Sequence, residues 1–543
     1  MLFLIIKLSL SHSVFNNKFV QYTPAMNRSQ SIQTIESDII WDIIIIGGGA
    51  TGLGAALDAA SRGYKTLLLE KFDFAKGTSS RATKLVHGGV RYLGQGNIKL
   101  VFEALRERGR LLSNAPHITS TQAFILPVYS WWQKIFYVTG LRIYDLLAAN
   151  LSLGKTKILN KAQTMQALPA INADKLAGGI LYFDGQFDDS RLAIDIASTA
   201  YRYGACLLNY VSVEGFEKKE NKITAVIAND VITGKQYNIK GKAFINATGV
   251  FAESIMQKDM EVLPISIAPS QGIHLVINKK YFSGTHALMI PKTDDGRVLF
   301  AVPWHDEVIV GTTDTPVDDI QFEPKALEEE IDFIIHHFNK YCNASINRSD
   351  VLSVYAGLRP LVKSNKAGSH TALLSRDHHI VVSPAGLVNI VGGKWTTYRK
   401  MAQDAIDNAI FTSTLTSKKC ITKTLPIGEW DWPIDKSSPL HLYGLNAKTI
   451  DQWMQEDESM CEKIHPLFKH TRAEVIWFIR NEMAITIEDV LARRTRLLLL
   501  NARAAIESAN KIAKWMAAEM GKDHNWEQEQ IKAFTTLAQQ YIL

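Results

Sequence analysis

Four consecutive isoleucines, Ile43 to Ile46, run directly into Gly47-Gly48-Gly49-Ala50-Thr51-Gly52. An unbroken β-branched run fits a strand buried on both faces, as in the centre of a parallel sheet. Gly47, Gly49 and Gly52 then fit G-x-G-x-x-G. The first allows a tight turn, the second lets the backbone approach a pyrophosphate, and the third lets the following helix pack on the strand. The helix start offers free N–H groups and the positive end of its dipole to phosphates. A second strand, Thr66 to Leu69, ends at Glu70, where a carboxylate can accept hydrogen bonds from a nucleotide ribose. Strand, glycines, helix, strand and acid in this register predict a dinucleotide site.

A chain of 543 residues is long enough for roughly two to four domains with ample core. Hydrophobic content of 46% and charged content of 21% describe a globular protein rather than a disordered one. The net charge of +6 is modest and no Lys/Arg block stands out. Nucleic acid is therefore disfavoured as a partner, while an anionic small molecule or an anionic membrane surface fits. Cys206, Cys342, Cys420 and Cys461 lie far apart and form no C-x-x-C. That pattern points to a reducing compartment without a disulfide framework, and no metal site is expected.

Met1 to Leu10 is an apolar run too short to span a membrane and without the basic start of a secretory signal. Ser11 to Ser37 is polar, and Met26 is a credible start. Residues 1–37 are therefore expected to lie outside the fold as an unstructured extension. No later apolar run reaches the length of a membrane span, so any membrane contact is expected to be peripheral.

Nucleotide-domain signals recur in three separated stretches, assigned here as 38–110, 191–250 and 351–410. The second holds a predicted hairpin, Val211–Phe216 and Ile223–Ala228, then a buried strand from Ala243 ending on small residues at Gly249. The third holds a buried strand from Leu387 that breaks on Gly392-Gly393-Lys394, followed by a helix through Ile410. One sheet drawn from three stretches predicts a discontinuous domain. Residues 111–190 and 251–350 are expected to form a second domain, with strand-like runs at Ile273–Ile277, Val298–Val302 and Val308–Gly311. Residues 411–543 turn helical in character, with Ile476, Ile479, Met483 and Ile487 at helical spacing.

The chemistry concentrates after Gly77. Thr78, Ser79 and Ser80 suit hydrogen bonding to a dinucleotide's phosphates, and Gly88-Gly89 allows the backbone to approach a flat ring. His87, Arg91 and Tyr92 surround that glycine pair with a titratable ring, a fixed cation and a phenol. Such a set can bind an anion and handle a proton.

Several motifs together resemble one family. They are Gly-Gly-Gly-Ala-Thr-Gly from Gly47, Lys84-Leu-Val-His-Gly-Gly-Val-Arg-Tyr-Leu93, Gly311-Thr-Thr-Asp314, Tyr355-Ala-Gly-Leu-Arg-Pro-Leu361 and Gly392-Gly-Lys-Trp-Thr-Thr-Tyr-Arg-Lys400. They resemble the FAD-dependent glycerol-3-phosphate dehydrogenases, of the D-amino-acid-oxidase-like flavoprotein superfamily, from about Asp38 to the C-terminus. Glu488-Asp-Val-Leu-Ala-Arg-Arg-Thr-Arg496 is similar to that family's helical cap.

The resemblance implies an α/β fold with a discontinuous Rossmann-like FAD-binding domain, an α+β substrate domain and a C-terminal helical cap. It implies non-covalent FAD, with sn-glycerol 3-phosphate oxidised to dihydroxyacetone phosphate and electrons passed to membrane quinone. The enzyme would lie peripherally on the cytoplasmic side of an inner (cell) membrane; a homodimer is left open. Carried over by position, His87, Arg91 and Tyr92 match the motif beside the flavin, and His274 matches a histidine of the substrate domain. Arg359, Arg376 and Lys394 match basic residues around the phosphate ester. Glu70, Gly249, Gly392 and Gly393 complete the expected cofactor contacts.

Loss of a proton from O2 suits a general base, for which His87 and His274 are both candidates. Arg359 and Arg376 can grip a phosphate dianion, and Lys394 can stabilise either the reduced flavin's negative charge, as a cofactor contact, or the developing alkoxide. Arg493, Arg494 and Arg496 are expected on a solvated or interdomain face. Pro127 to Leu147 pairs bulky aromatics with Lys134 and Arg142, as interfacial membrane helices do. Helical apolar spacing more often serves a core, and core packing is the expectation here. The rival readings are an oxidase of glycerol 3-phosphate that produces hydrogen peroxide, an amino-acid oxidase of the same superfamily, and a flavin-binding interaction protein without turnover.

Overall fold

A computed structural model describes residues 25–93, 96–363 and 377–543. The isoleucine run forms the strand Trp41–Ile46, which pairs in parallel with Thr66–Leu69 on one side and Gln236–Asn246 on the other. Leu387–Gly392 and Cys206–Leu208 extend this sheet outward in parallel, and His378–Val382 closes one edge antiparallel. The sheet is thus assembled from three separated stretches of chain. Ile43 and Ile45 point into one core with the helices Ala50–Ser61, Asp189–Arg202 and Tyr398–Phe411. Ile44 and Ile46 point into the opposite core, under the hairpin Val211–Lys219 and Lys222–Asp230. Burial on both faces is why the strand reads as a continuous apolar run.

A second sheet of ten strands among the described residues stands over the carboxyl ends of the first. Its longest pairing joins Ile267–Asn278 to Val351–Val362 in antiparallel register, with His274 opposite Tyr355. Leu85–Val86 also belongs to this sheet, pairing with Gly185 and Gln186. Both segments had been expected in the dinucleotide domain, within 38–110 and 351–410. An apolar run shows that a strand is buried and says nothing about which strand it pairs with.

The N-terminal expectation fails from residue 26 onward. Met26 is buried and donates its N–H to Asn481 O at 3.3 Å. Arg28–Glu36 is a helix capped by Asn27, and Arg28 pairs with Asp230 at 2.9 Å. Only Ile32 and Ile35 anchor this helix, too few apolar residues to register as a period.

The C-terminal region is helical, with Arg472–Asn481, Ala502–Met520 and His524–Ala538 around one core. That core reaches Val276, Ile309 and Tyr355 of the ten-stranded sheet. Arg493, Arg494 and Arg496 are buried at the junction rather than solvated. Arg493 and Arg494 both bond the fully buried Asp73, and Arg496 Nε lies 3.0 Å from Asp188. Burial opposes ionisation of Asp73, but the two guanidiniums outweigh it and hold its carboxyl below the usual range.

Candidate active site

The carboxyl ends of the parallel strands and the facing ten-stranded sheet enclose a cavity of about 1300 Å³. Gly47, Gly49, Ala50, Glu70 and Ser79 line one part of it; His87, Gly89, Tyr92, His274, Arg359 and Lys394 line another.

The glycine loop meets the steric demands of its motif. Gly47 has φ +106°, and a Cβ there would fall 2.8 Å from Ala247 O. A Cβ at Gly52 would fall 1.8 Å from Gly47 O, so only glycine lets the helix pack on the turn. At Gly49 the added atom would meet only Ser79 Oγ, at 3.0 Å. Ser79 Oγ accepts from Ala50 N at 2.9 Å, beside the helix N-terminus. Gly249 has φ +62° and an open approach to the cavity, and Gly392 and Gly393, at φ +82° and +80°, break the last strand against it. A backbone cradle with room for phosphates and a flat ring fits a dinucleotide.

Other expected cofactor contacts fall differently. Glu70 accepts from Gly48 N at 2.6 Å and Phe72 N at 2.9 Å, so its carboxylate braces the glycine loop while lining the cavity. Burial pushes that carboxyl up, and the two amides offset part of the rise. Thr78 also lines the cavity, while its hydroxyl donates to Leu358 O at 2.6 Å. Ser80 is buried with its hydroxyl on Gly77 O, away from the cavity. Consecutive side chains on the turn Thr78–Ser80 point about 120° apart, so three neighbouring hydroxyls cannot face one ligand. Gly88 makes room on the far side: a Cβ there would strike Leu105 at 2.6 Å and Tyr144 Oη at 2.7 Å. Gly89, at φ +74°, is the glycine of the pair that lines the cavity.

At the charged part, His274 is 2% exposed. Its Nε2 lies 2.8 Å from Thr83 Oγ1 and its ring stacks on Tyr355 at 4.9 Å. Nδ1 has no hydrogen-bond partner among the described residues. Burial, and then the nearby Arg359 and Lys84 cations, push its pKa well below the usual histidine value. Arg359 donates to Gln271 O at 3.3 Å and Thr312 Oγ1 at 3.0 Å, with Asp314 at 3.5 Å. Gly272 makes space for it, since a Cβ would fall 2.3 Å from Arg359 Nη2. Lys394 Nζ lies over the Tyr92 ring. His87 lines the same cavity. Arg91 is placed by its backbone in the turn Val90–Tyr92, and Arg376 lies outside the described residues. Thr83, Tyr355 and Thr312 were missed as site residues, although Tyr355 and Thr312 stand inside motifs already singled out and Thr83 directly precedes one. Their roles depend on partners far away in sequence.

The family profile "FAD dependent oxidoreductase" matches residues 42–399, and the "C-terminal domain of alpha-glycerophosphate oxidase" matches 388–530. The chain is 38% identical to "Glycerol-3-phosphate dehydrogenase, mitochondrial" of Homo sapiens over 93% of its own length and 74% of the relative's. It is 35% identical to the Schizosaccharomyces pombe protein of the same name, over 94% and 90%. Among solved structures, the glycerol-3-phosphate dehydrogenase from Bacillus halodurans complexed with FAD superposes with a TM-score of 0.79 at 28% identity, covering 96% of this chain and 98% of that one. A glycine cradle that fits a dinucleotide, a facing cluster of histidine, arginine and lysine, and likeness along nearly the whole length lead to one conclusion: the chain belongs to the FAD-dependent glycerol-3-phosphate dehydrogenases.

Proposed function

We propose that this protein oxidises sn-glycerol 3-phosphate to dihydroxyacetone phosphate and passes the electrons to membrane quinone. The observation that carries the reading is the shared cavity, which joins the glycine cradle to a cluster containing His87, His274, Arg359 and Lys394. FAD, when bound along the cradle, supplies the two-electron acceptor for the hydride lost from C2. The residues of the chain do the rest. Arg359, held by Gln271, Thr312 and Asp314, presents a pre-set guanidinium to the phosphate dianion, and Arg376 is proposed to share that task. Lys394 places positive charge where negative charge grows as O2 gives up its proton. His274 accepts that proton, with Thr83 and Tyr355 fixing its ring; His87 is the alternative acceptor. The dianion offsets the Arg359 charge that weakens His274 as a base, so the substrate raises the proton affinity its own oxidation needs. A zwitterionic amino acid has no dianion to do this.

The membrane contact is proposed at the helix Trp131–Ala148. One face of the helix packs into the core as expected, through Val138, Leu141, Tyr144 and Ala148, while on the rest of its surface Trp131, Trp132, Phe136 and Leu146 are exposed by 63%, 74%, 66% and 78%. Aromatics beside Lys134 and Arg142 suit a headgroup interface. No helix among the described residues is long and apolar enough to cross a membrane, so the attachment proposed is peripheral, on an inner membrane. The test is turnover of sn-glycerol 3-phosphate with a soluble quinone analogue while peroxide is followed. Quinone-dependent turnover with little peroxide supports the reading, and stoichiometric peroxide without quinone replaces it with the oxidase.

A further inference from the structure

We propose that Asp294, His336 and His337 form a binding site for a divalent transition metal of the Zn²⁺ class. The ligand atoms of these three residues lie within 4.8 Å of one another. His337 is 5% exposed, and its Nδ1 lies 2.8 Å from Phe333 O. A carbonyl only accepts, so in the neutral ring Nδ1 carries the proton and Nε2 keeps its lone pair. Metal-binding histidines are oriented this way by a bond from the other ring nitrogen. Nε2 has no hydrogen-bond partner among the described residues and points at Asp294, 3.5 Å from Oδ2.

In a tetrahedral zinc site, ligand atoms about 2.0–2.1 Å from the ion are roughly 3.4 Å apart. The Asp294–His337 pair already has that spacing, and the exposed His336 side chain can turn to close the rest. Two imidazoles and one carboxylate select zinc-class ions over magnesium or calcium, which prefer oxygen sets. Lys340 Nζ, 2.6 and 2.8 Å from the Asp294 oxygens, now neutralises the carboxylate. That lysine side chain is 43% exposed, so it can move into solvent when an ion arrives.

The location gives the site a consequence. Asp294 belongs to the turn between the strands Ala287–Ile290 and Leu299–Trp304, whose next residues, Asp295 to Val298, line the large cavity. His336 and His337 belong to the helix Glu328–Tyr341. A bound ion therefore ties the cavity rim to that helix. The Cys-based motifs that reveal zinc sites in sequence are absent, and Asp294 lies too far from His336 in the chain to be paired with it by spacing.

The test titrates the FAD-loaded full chain with Zn²⁺ against a chromophoric chelator, alongside three variants at exposed positions. Binding of one equivalent, weakened roughly tenfold or more in Asp294→Asn and His336→Gln and tightened in Lys340→Gln, is expected. The flavin spectrum should be unchanged in all three. Absence of zinc binding to the FAD-loaded protein, or equal affinity in it and the three variants, overturns the proposal.

Discussion

Lys394 Nζ lies 4.0 Å above the centroid of the Tyr92 ring, and Gly89 leaves the space in which they meet. A Cβ on Gly89 would press on the Tyr92 ring at 2.5 Å and reach Lys394 Nζ at 3.6 Å. The aromatic face holds the ammonium at the cavity wall. Tyr92→Phe keeps that face and should keep most of kcat, whereas Tyr92→Leu should lose about tenfold. Lys394→Met should lose about a hundredfold with FAD still bound. Equal losses in Tyr92→Phe and Tyr92→Leu would assign the effect to the hydroxyl instead.

In the proposed mechanism Arg359 acts on the phosphate and on His274 at once. Arg359→Met should raise KM for the phosphate ester by about 10- to 100-fold, the worth of a hydrogen bond to a charged group. It should also move the acid limb of kcat/KM. Burial and the Arg359 charge depress the His274 pKa, so the unprotonated ring persists below pH ~6.5. With Arg359 removed, activity should fall at higher pH than in the wild type. An unmoved acid limb in a full pH–rate profile would separate His274 from the proton transfer.

Asp73 bridges the nucleotide-binding domain to the cap through Arg493 and Arg494. Asp73→Ala leaves two guanidiniums buried and should destabilise the protein by about 3–5 kcal/mol. Its folded pKa is depressed, so its contribution is complete above the unfolded value of about 3.9 and is lost as pH falls below it. Below pH ~4 the wild type should lose stability more steeply than Asp73→Asn. Melting curves from pH 3 to 7 check this.

The exposed face of Trp131–Ala148 should govern attachment and leave the chemistry alone. Trp132→Glu with Phe136→Glu should reduce binding to anionic vesicles more than tenfold, while turnover with a soluble acceptor stays near wild type. Co-sedimentation with vesicles measures the first and a dye-linked assay the second.

What the sequence made legible follows how local the physics is. The glycine loop was readable because turn, approach and helix packing act within a few residues, and Gly52 against Gly47 O shows the constraint directly. Ser80 and Gly88 were assigned to the cofactor by adjacency, but the Thr78–Ser80 turn sends neighbouring side chains in different directions, and Gly88 makes room for Leu105 and Tyr144 instead. The periodicity of residues 131–148 revealed a core face, Val138, Leu141, Tyr144 and Ala148, but did not show that the further apolar residues Trp131, Trp132, Phe136 and Leu146 stand open. The burial of Arg493 and Arg494 depends on Asp73, some 420 residues away, which no local pattern encodes. Separation along the chain likewise hid the Thr83 and Tyr355 contacts of His274.

The most direct test mixes the purified, FAD-loaded protein anaerobically with sn-glycerol 3-phosphate and follows the flavin's visible absorbance. Rapid bleaching, reversed faster by a quinone analogue than by air, is the predicted result. An oxidised spectrum that does not change would contradict the substrate assignment, and recovery fastest in air would contradict the quinone.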